Sequence, residues 1–591
     1  MRTFIQILFV VLTGFVTACS RDEAPKAPKT SVTAPPVTIF PAKTIITMNP
    51  DLPTAHAIAI RGDKIIGVGE TAGLIKTYPD AKIDKAFADK TITPGLIDPH
   101  IHMILGAMMY TKPMAPPWDI ETPAGTVKGL GNRADFLAAL RKINAAHPGD
   151  RPLIIYGYHN LVHGPLDRHV LDAITTKRPL IIWHYSGHDF YLNSRALNMA
   201  GVDASWAKKF KGVPLDRDGQ PTGRVYEDAV FDFLKKTGPE FLSPSSITKG
   251  FADQLDMFAR SGVTSVAEMG YGLFGLKLED SFYKNLLPAK PTTKIYLVPE
   301  HRAFAHSFGK DRIAEIRRRV TATKDGWPRV LPQIKLFTDA AFYSQTMRLR
   351  PPGYTAGQNK GEEGLWVMGP KEKLAKIMAP YWQAGLDIHI HSNGDAAQDA
   401  TLAALQQVMK NSGGKTIRPG QRLIIEHGGL IRPEQIALAK TLPMGVSVAS
   451  HYVYYMGALY GNAIGDRVKF MTPLASLRRA GLPVTMHSDA PLAPPEPMRA
   501  ASVHITRATR EGGVSTPSER LSREQALKAI TLDAAWSLGL EHEIGSIEIG
   551  KQADLTIMDA NPLEVAGEDW PKIGIWGVMV DGVRHKAETE K

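Results

Sequence analysis

The chain has 591 residues, of which 43% are hydrophobic and 22% are charged. This length and balance are typical of a soluble protein with one large domain and a smaller one, and they exclude a fibrous, disordered or polytopic membrane protein. The formal net charge is +11, but the basic residues are scattered among acidic ones, a pattern that does not predict a nucleic-acid partner.

Residues 1–18 resemble a secretory signal peptide that ends before the only cysteine of the chain, Cys19. An early basic residue, Arg2, precedes a short apolar stretch and small residues, as in such signals. The segment VTAC at residues 16–19 also resembles the bacterial lipobox, in which the cysteine is lipidated. We therefore predict an exported protein held by lipid in the bacterial cell envelope, in the outer membrane facing the periplasm. A buried N-terminal helix with an incidental cysteine is the alternative.

The single cysteine limits the chemistry of the mature protein. It leaves no partner for an internal disulfide, and it excludes a thiolate nucleophile or a thiolate-ligated zinc ion. Residues 19–36 are rich in proline and charge and have no large apolar side chains, so we predict a flexible tether there. The folded part is expected to begin near Val37.

Both ends of the folded part have the texture of β-structure. Residues 37–93 alternate apolar and polar side chains around a Gly-Asp turn, which predicts antiparallel strands. Residues 539–588 repeat this pattern. We predict that the two ends pair into one small composite β-sandwich, with the middle of the chain, residues 94–538, inserted between them.

The middle of the chain alternates short apolar runs with amphipathic helical stretches. This alternation predicts an α/β fold with a parallel sheet, and the number of units fits a (β/α)8 TIM-type barrel with insertions near residues 105–200. In such barrels the chemistry lies at the C-terminal ends of the strands. Polar residues at those ends are therefore the candidates for function.

The segment LIDPHIHMI, residues 96–104, places two histidines one residue apart, so that both rings face the same side of a strand. With 19 histidines in the chain, about 0.6 such pairs arise by chance, so the pair alone proves little. Taken singly, a strand-end histidine is more often a hydrogen-bond partner than a ligand. Together, the strand-end residues offer nitrogen and oxygen ligands suited to zinc or a similar divalent ion; they are His100, His102, Lys335, His391, His427 and Asp489.

Six segments, in order along the chain, resemble the amidohydrolase superfamily, in the branch of the YtcJ-like proteins and the N-substituted formamide deformylases. They are PGLIDPHIHMI, KLFTDAAF, IHIHSNGDAAQDA, IIEHGGLI, HSDAPLAPPEP and GSIEIGKQADLTIMD. The resemblance extends from about residue 38 to residue 583. It implies a metal-dependent hydrolase whose barrel is inserted in a composite β-sandwich.

The resemblance assigns the metal ligands one position at a time. His100 and His102 match the pair on the first strand, His391 the ligand on the fifth, His427 the ligand on the sixth, and Asp489 the carboxylate on the eighth. His389, two residues deeper than His391, is expected to pack or to support the ligands.

Lys335 matches the lysine that in many relatives is carboxylated and bridges two metal ions. The alternative is a lysine that is paired with a carboxylate. The next residues differ from the family's usual Asp-Gly, because this chain has Asp339-Ala340, so the geometry of the following loop is not predicted.

The mechanism that the resemblance implies is hydrolysis of a non-peptide carbon–nitrogen bond in a small-molecule substrate: an amide, an N-acyl compound or a cyclic amide. One or two divalent ions, zinc first, would activate a water molecule, and Asp489 would act as the general base. His188, in SGHDFYLNS, and His451, in VASHY, are the candidates to bind the substrate carbonyl. The histidines expected to serve structure are His159, His184 and His487.

Two alternatives stay open at this point. One is an esterase or lactonase that uses the same metal site, and the other is a non-catalytic surface binding protein that retains the barrel. The full set of six ligand positions argues against the second. The loops expected to set specificity, such as residues 105–135 and 340–365, carry no readable pattern, and the sequence is compatible with a homo-oligomer.

Overall fold

The computed structural model describes residues 35–288 and 290–587. The predicted signal peptide, the lipidated Cys19 and most of the predicted tether lie outside these ranges, so they stay predictions. Among the residues described, no helix combines the length and the apolar character needed to cross a membrane.

Eight parallel strands form the centre of the molecule, and we number them in chain order. They are β1 (Leu96–Ile101), β2 (Val263–Tyr271), β3 (Lys294–Pro299), β4 (Gln333–Phe337), β5 (Asp387–Ser392), β6 (Leu423–His427), β7 (Met444–Ala449) and β8 (Val484–His487). Strands β1 to β3 pair in one sheet, extended by Arg329–Val330, and β4 to β8 pair in another. Parallel bridges between Glu300 and Lys335 and between Ile101 and Ala490 join the two sheets. The predicted (β/α)8 barrel is therefore confirmed.

The strands of the barrel are buried on both faces, as strands must be when helices cover a parallel sheet. All nine residues of β2 and all six of β5 are buried. The helices that follow β1 to β8 in turn are Met103–Met109, Leu276–Leu286, His301–Phe308, Arg312–Thr323, Lys371–Gln383, Asp395–Asn411, Pro433–Ala439, Tyr452–Met456, Gly461–Ile464, Leu474–Arg479, Pro497–Thr506, Arg523–Ala529 and Leu532–Ser537.

A large insertion separates β1 from β2. Its four-stranded sheet runs in chain order through Leu153–Tyr158, Leu180–His184, Asp189–Leu192 and Arg224–Tyr226, beside a hairpin of Ile120–Thr122 and Gly125–Val127. Its helices are Arg133–Ala146, Asn160–His163, Arg168–Asp172, Ser194–Ala200, Trp206–Lys209, Val230–Phe241 and Pro244–Arg260. The insertion thus extends beyond the predicted residues 105–200, and it supplies part of the wall of the site described below.

Strands from both ends of the chain pair with each other, and they do so in one eight-stranded sheet, whereas the sequence predicted a sandwich. In spatial order the strands are Val583–Lys586, Ile575–Val580, Leu555–Met558, Thr91–Pro94, Val37–Ile46, Thr54–Arg61 and Lys64–Gly69, with Lys82–Ile83 beside Val37–Ile46. The two ends meet where Ile557 pairs with Ile92 in antiparallel register. The buried Lys294 of β3 donates to Asp554 at 2.7 Å and so ties this sheet to the barrel.

Candidate active site

A cavity of about 720 Å³ opens at the C-terminal ends of the barrel strands. All six predicted metal ligands line it, together with the predicted substrate-binding residue His188. The insertion contributes Trp183, Glu227 and Phe231 to the wall, and the loop after β4 contributes residues such as Trp366. The structure therefore brings together, in one concave site, side chains that are far apart in the sequence.

The two histidines at the end of β1, His100 and His102, face Asp489, which lies two residues after β8. The distances from Asp489 Oδ1 are 3.5 Å to His100 Nε2 and 3.4 Å to His102 Nε2. The backbone N–H of Asp489 donates to the carbonyl of His100 at 3.1 Å, which holds the two strand ends together. The junction between β1 and β8 thus sets the positions of the side chains of His100, His102 and Asp489.

The other ligand candidates close the opposite side of the cluster. The ring centroids of His100 and His427 are 4.7 Å apart, and those of His427 and His391 are 4.4 Å apart. His427 Nδ1 lies 3.8 Å from Asp489 Oδ2. Lys335 is fully buried on β4, and its Nζ lies 5.3 Å from the Phe337 ring centroid. The ring centroids of Phe337 and His391 are 5.2 Å apart.

Two of these residues have backbone conformations that non-glycine residues rarely adopt. The φ angle is 73° at His427 and 58° at Asp489. A non-glycine residue in the left-handed region costs about 1–3 kcal/mol, and such residues cluster at functional sites. Both lie at a strand exit, where the chain turns sharply and directs the side chain toward the cavity.

Two buried glutamates orient the histidines at the end of β1, and the sequence did not predict either glutamate. Glu426 accepts from His100 Nδ1 at 2.7 Å and from His389 Nδ1 at 2.6 Å. Glu268 accepts from His102 Nδ1 at 3.0 Å. A histidine that binds a metal usually donates its other N–H to a carboxylate in this way. The available signal was an acidic residue inside each apolar run, LIIEH and VTSVAEM.

Two pKa values at the cluster are shifted in opposite directions. Burial opposes charge on His102, but Asp489 and Glu268 outweigh it and raise the pKa of His102 to about 9. The site therefore favours a positive charge between these groups, a proton or a metal ion. Burial lowers the pKa of Lys335 to about 8, although Glu426 and Asp489 act against the shift. A neutral amine, which carboxylation needs, is thus accessible near neutral pH.

The donor set fits a divalent cation. Within the described ranges, three buried polar atoms of this cluster have no hydrogen-bond partner: Lys335 Nζ, His389 Nε2 and Asp489 Oδ1. Leaving such atoms unsatisfied costs about 1–3 kcal/mol each, and a cation bound to Asp489 would satisfy its oxygen. The ligand atoms of His100, His102 and Asp489 lie within 4.8 Å of one another.

His487, predicted to serve structure, lies directly beside the cluster. Its Nδ1 is 2.7 Å from Ser447 Oγ, and its Nε2 is 3.2 Å from His427 Nδ1. With His100 and His427 it forms a second group that could hold an ion. Its contacts position His427.

The insertion supplies a histidine–carboxylate pair at the cavity wall. His188 Nδ1 donates to Glu227 Oε2 at 3.1 Å, and the other oxygen of Glu227 accepts from Thr346 Oγ1 at 2.7 Å. Burial opposes both charges, but Glu227 raises the pKa of His188, and His188 lowers the pKa of Glu227 to about 2. The His188 ring lies 6.4 Å from the His391 ring, so it is close enough to contact a bound substrate.

His451 is not among the residues that line this cavity. It is buried, its Nδ1 lies 3.4 Å from Ser450 Oγ, and burial lowers its pKa to about 3, so its ring is neutral. Its predicted role in substrate binding has no supporting contact. His159 and His184 are also buried away from the lining, and His184 Nε2 lies 3.2 Å from Asn160 Oδ1.

The Asp339-Ala340 departure does not disturb the loop after β4. Asp339 accepts from the backbone N–H groups of Asn393 and Gly394, each at 2.9 Å, and of Arg348 at 2.8 Å. Ala340 is not among the described residues with a positive φ angle. An alanine is therefore tolerated where a glycine is usual.

Comparisons with known proteins identify the family of the chain. A model of the amidohydrolase family matches residues 88–584. The N-substituted formamide deformylase of Arthrobacter pascens is 24% identical, covering 90% of this chain and 95% of its own length. The protein LONG AFTER FAR-RED 3 of Arabidopsis thaliana is 25% identical, covering 89% of this chain and 88% of its own length.

A solved structure shares the fold. It is an uncharacterized metal-dependent hydrolase from Pyrococcus horikoshii OT3, with a TM-score of 0.65 and 20% identity, covering 90% of this chain and 99% of that one. The barrel, the cluster of histidines and Asp489 at its mouth, and the family match over most of the chain point to one conclusion. The chain belongs to the amidohydrolase family, and it is a metal-dependent hydrolase.

Proposed function

We propose that the protein hydrolyses a non-peptide carbon–nitrogen bond, in an amide, an N-acyl compound or a cyclic amide, with Asp489 as the general base. The observation that carries this proposal is the free oxygen of Asp489. Oδ1 lies within 3.5 Å of Nε2 on both His100 and His102, yet it has no hydrogen-bond partner in the described part of the chain. An oxygen in this position can bind a cation beside the two rings, and the second oxygen of the carboxylate, Oδ2, is then available to take a proton from a nucleophilic water.

The site would hold one or two divalent ions, with zinc as the first choice for this set of imidazole and carboxylate donors. When bound, the metal polarises the substrate carbonyl and makes a water molecule more acidic. The residues that would hold it are His100, His102, His391, His427 and Asp489. Lys335 would bridge a second ion once it is carboxylated.

The remaining steps belong to side chains of this protein. Asp489 takes the proton of the water and passes it to the leaving amine, so one carboxylate serves both transfers. His188, held by Glu227 through Nδ1, is placed to donate from Nε2 to the carbonyl oxygen as negative charge develops there. Glu268 and Glu426 keep the ligand rings in place. The name of the Arthrobacter pascens relative, a deformylase of N-substituted formamides, supports an amide substrate.

The first test is an activity panel on the protein from residue 20 onward, reconstituted with zinc in the presence of bicarbonate. We expect turnover of N-acyl and cyclic amides, and we expect Asp489→Asn to lower kcat by at least about 100-fold, the lower end of general-base contributions. Metal content is measured in parallel, because a loss of metal would explain the same result. Unchanged turnover in a metal-loaded Asp489→Asn protein would refute the general base, and turnover confined to matched esters or lactones would identify an esterase or lactonase.

We also propose that the protein is exported and anchored by lipid at Cys19. The proposal rests on the sequence of residues 1–20 alone. Mass spectrometry of the protein purified from membranes should find an acylated Cys19 as the first residue, and Cys19→Ser should release the protein from the membrane fraction. An unmodified N-terminus on a protein recovered in the soluble fraction would reject the anchor.

A further inference from the structure

The acidic side chains in the wall of the cavity, apart from the ligand candidate Asp489, are all engaged. Glu227 is bonded to His188 and Thr346. Asp228 accepts from the backbone N–H groups of Lys211 and Gly212 at 3.0 and 2.9 Å. Asp339 accepts from three backbone N–H groups, as described above. None of these carboxylates is free to attract a cationic substrate.

The basic side chains of the wall are different. Lys209 is paired with Asp232 at 2.7 Å, and Arg348 is paired with Glu363. Lys211 also lines the cavity and offers a single ammonium group. Arg302 bonds only through Nε, which donates to Glu300 Oε1 at 2.7 Å. Within residues 35–288 and 290–587, its Nη1 and Nη2 have no hydrogen-bond partner, and its side chain is 36% exposed. Two parallel N–H donors on a fixed cation therefore remain open to the cavity.

Arg302 is held in place before any ligand binds. Glu300 is fully buried, and its second oxygen accepts from the backbone N–H of Ala303 at 2.9 Å, so the acceptor of Nε does not move freely. The guanidinium carbon lies 4.8 Å from the Phe231 ring centroid and 4.5 Å from that of Phe337. These apolar contacts lower the local dielectric and strengthen any charge pair formed there.

Arg302 lies close to the candidate metal ligands. Phe337, which contacts the guanidinium, also contacts the His391 ring at 5.2 Å and lies 5.3 Å from Lys335 Nζ. One phenyl ring therefore separates the guanidinium from the metal ligands. A substrate with one group bound to Arg302 would therefore need only a short linker to place its carbonyl next to Asp489.

We infer that Arg302 is a specificity-determining residue that binds a carboxylate of the substrate, and that the substrates are N-acyl amino acids or similar amides with a carboxylate near the scissile bond. This inference rests on the proposed function. A guanidinium with two free parallel N–H groups matches the two oxygens of a carboxylate, which a single ammonium does not. The aromatic side chains of the wall would hold the apolar part of the substrate.

The experiment compares an N-acyl amino acid with its uncharged carboxamide, which has nearly the same shape, in the wild-type protein and in Arg302→Gln. We expect the wild-type protein to favour the acid. In Arg302→Gln we expect kcat/KM for the acid to fall by about 10- to 100-fold, mainly through KM, as for a lost hydrogen bond to a charged group, with little change for the carboxamide. The kcat/KM of Arg302→Lys for the acid should be intermediate, because lysine retains the positive charge but lacks the two parallel N–H donors of the guanidinium.

Two further variants separate binding from folding. Arg302→Gln leaves the buried Glu300 without its partner, so the double variant Arg302→Gln/Glu300→Gln, which removes that charge, should show the same loss of selectivity in a stable protein. Arg318→Gln is the matched control, because Arg318 is an exposed arginine whose only partner in the described part of the chain is Glu315. It should behave like the wild-type protein with both substrates.

An equal loss for acid and carboxamide would assign Arg302 a structural role and overturn the inference, while hydrolysis itself would stand. A wild-type preference for the carboxamide, or a selectivity that depends on Lys211 in place of Arg302, would also overturn it. If the wild-type protein cleaves neither compound, the proposed function fails separately. Calorimetric binding of the N-acyl amino acid then decides, because the inference requires weaker binding in Arg302→Gln and is rejected by equal binding.

Discussion

Replacing Glu426 by glutamine is expected to weaken metal binding by about 10- to 100-fold while the protein stays folded. Glu426 is fully buried and accepts from Nδ1 of both His100 and His389. Each of these hydrogen bonds has an ionised acceptor and contributes about 1.5–3 kcal/mol. A glutamine has one carbonyl oxygen where the glutamate has two carboxylate oxygens, so it can serve only one of the two rings.

The other ring must then face an amide NH₂ group. If this ring is His100, its proton moves to Nε2, the atom that faces Asp489, and this nitrogen can no longer bind a cation. The loss of one bond of about 1.5–3 kcal/mol corresponds to a loss of about 10- to 100-fold in affinity. The consequence therefore reaches the metal although the substituted side chain does not contact it.

The assay is competition for zinc against a chromophoric chelator, with thermal unfolding measured on the same samples. The matched control is Glu434→Gln, which neutralises an exposed glutamate paired with Arg350. The control should retain wild-type affinity. A folded Glu426→Gln protein with unchanged zinc affinity and unchanged kcat/KM would refute the orienting role of Glu426.

Three further predictions concern other parts of the structure. Lys335→Met should lower the zinc content from two ions to one. Reconstitution of the wild-type protein with zinc and bicarbonate should be more complete at pH 8 than at pH 6, because the Lys335 amine has a pKa of about 8 and is mostly protonated at pH 6. Elemental analysis of the zinc content checks both outcomes. Glu227, whose pKa is lowered from 4.5 to about 2, should stabilise the protein fully above pH 4.5, and this stabilisation should fade as the pH falls toward 2. The check is the difference in unfolding free energy between the wild-type protein and Glu227→Gln, measured with urea. A difference that does not depend on pH would contradict the prediction. Lys294→Met leaves Asp554 buried without its partner and should cost about 3–5 kcal/mol of unfolding free energy, whereas an unchanged Tm would show that the pair contributes little.

Local patterns in the chain were sufficient to predict the barrel and the identity of the ligand candidates. A strand repeats every two residues, so His100 and His102 must face one side, whatever the rest of the chain does. Apolar runs separated by amphipathic helices predict parallel strands, and in a barrel the C-terminal ends of such strands face one mouth. The family resemblance then assigned Lys335, His391, His427 and Asp489.

Long-range contacts carry no comparable signal. Glu426 supports His100 across 326 residues, and Glu227 reaches the cavity from an insertion whose length and path no periodicity predicts. His451 ends a strand in the same way as the ligands, yet its ring is packed away from the cavity. The backbone geometry of a strand specifies which side a residue faces, whereas barrel closure and loop packing specify what it meets there. Sequence periodicity therefore predicts on which side of a strand a side chain lies, whereas the partners of that side chain depend on how distant segments pack.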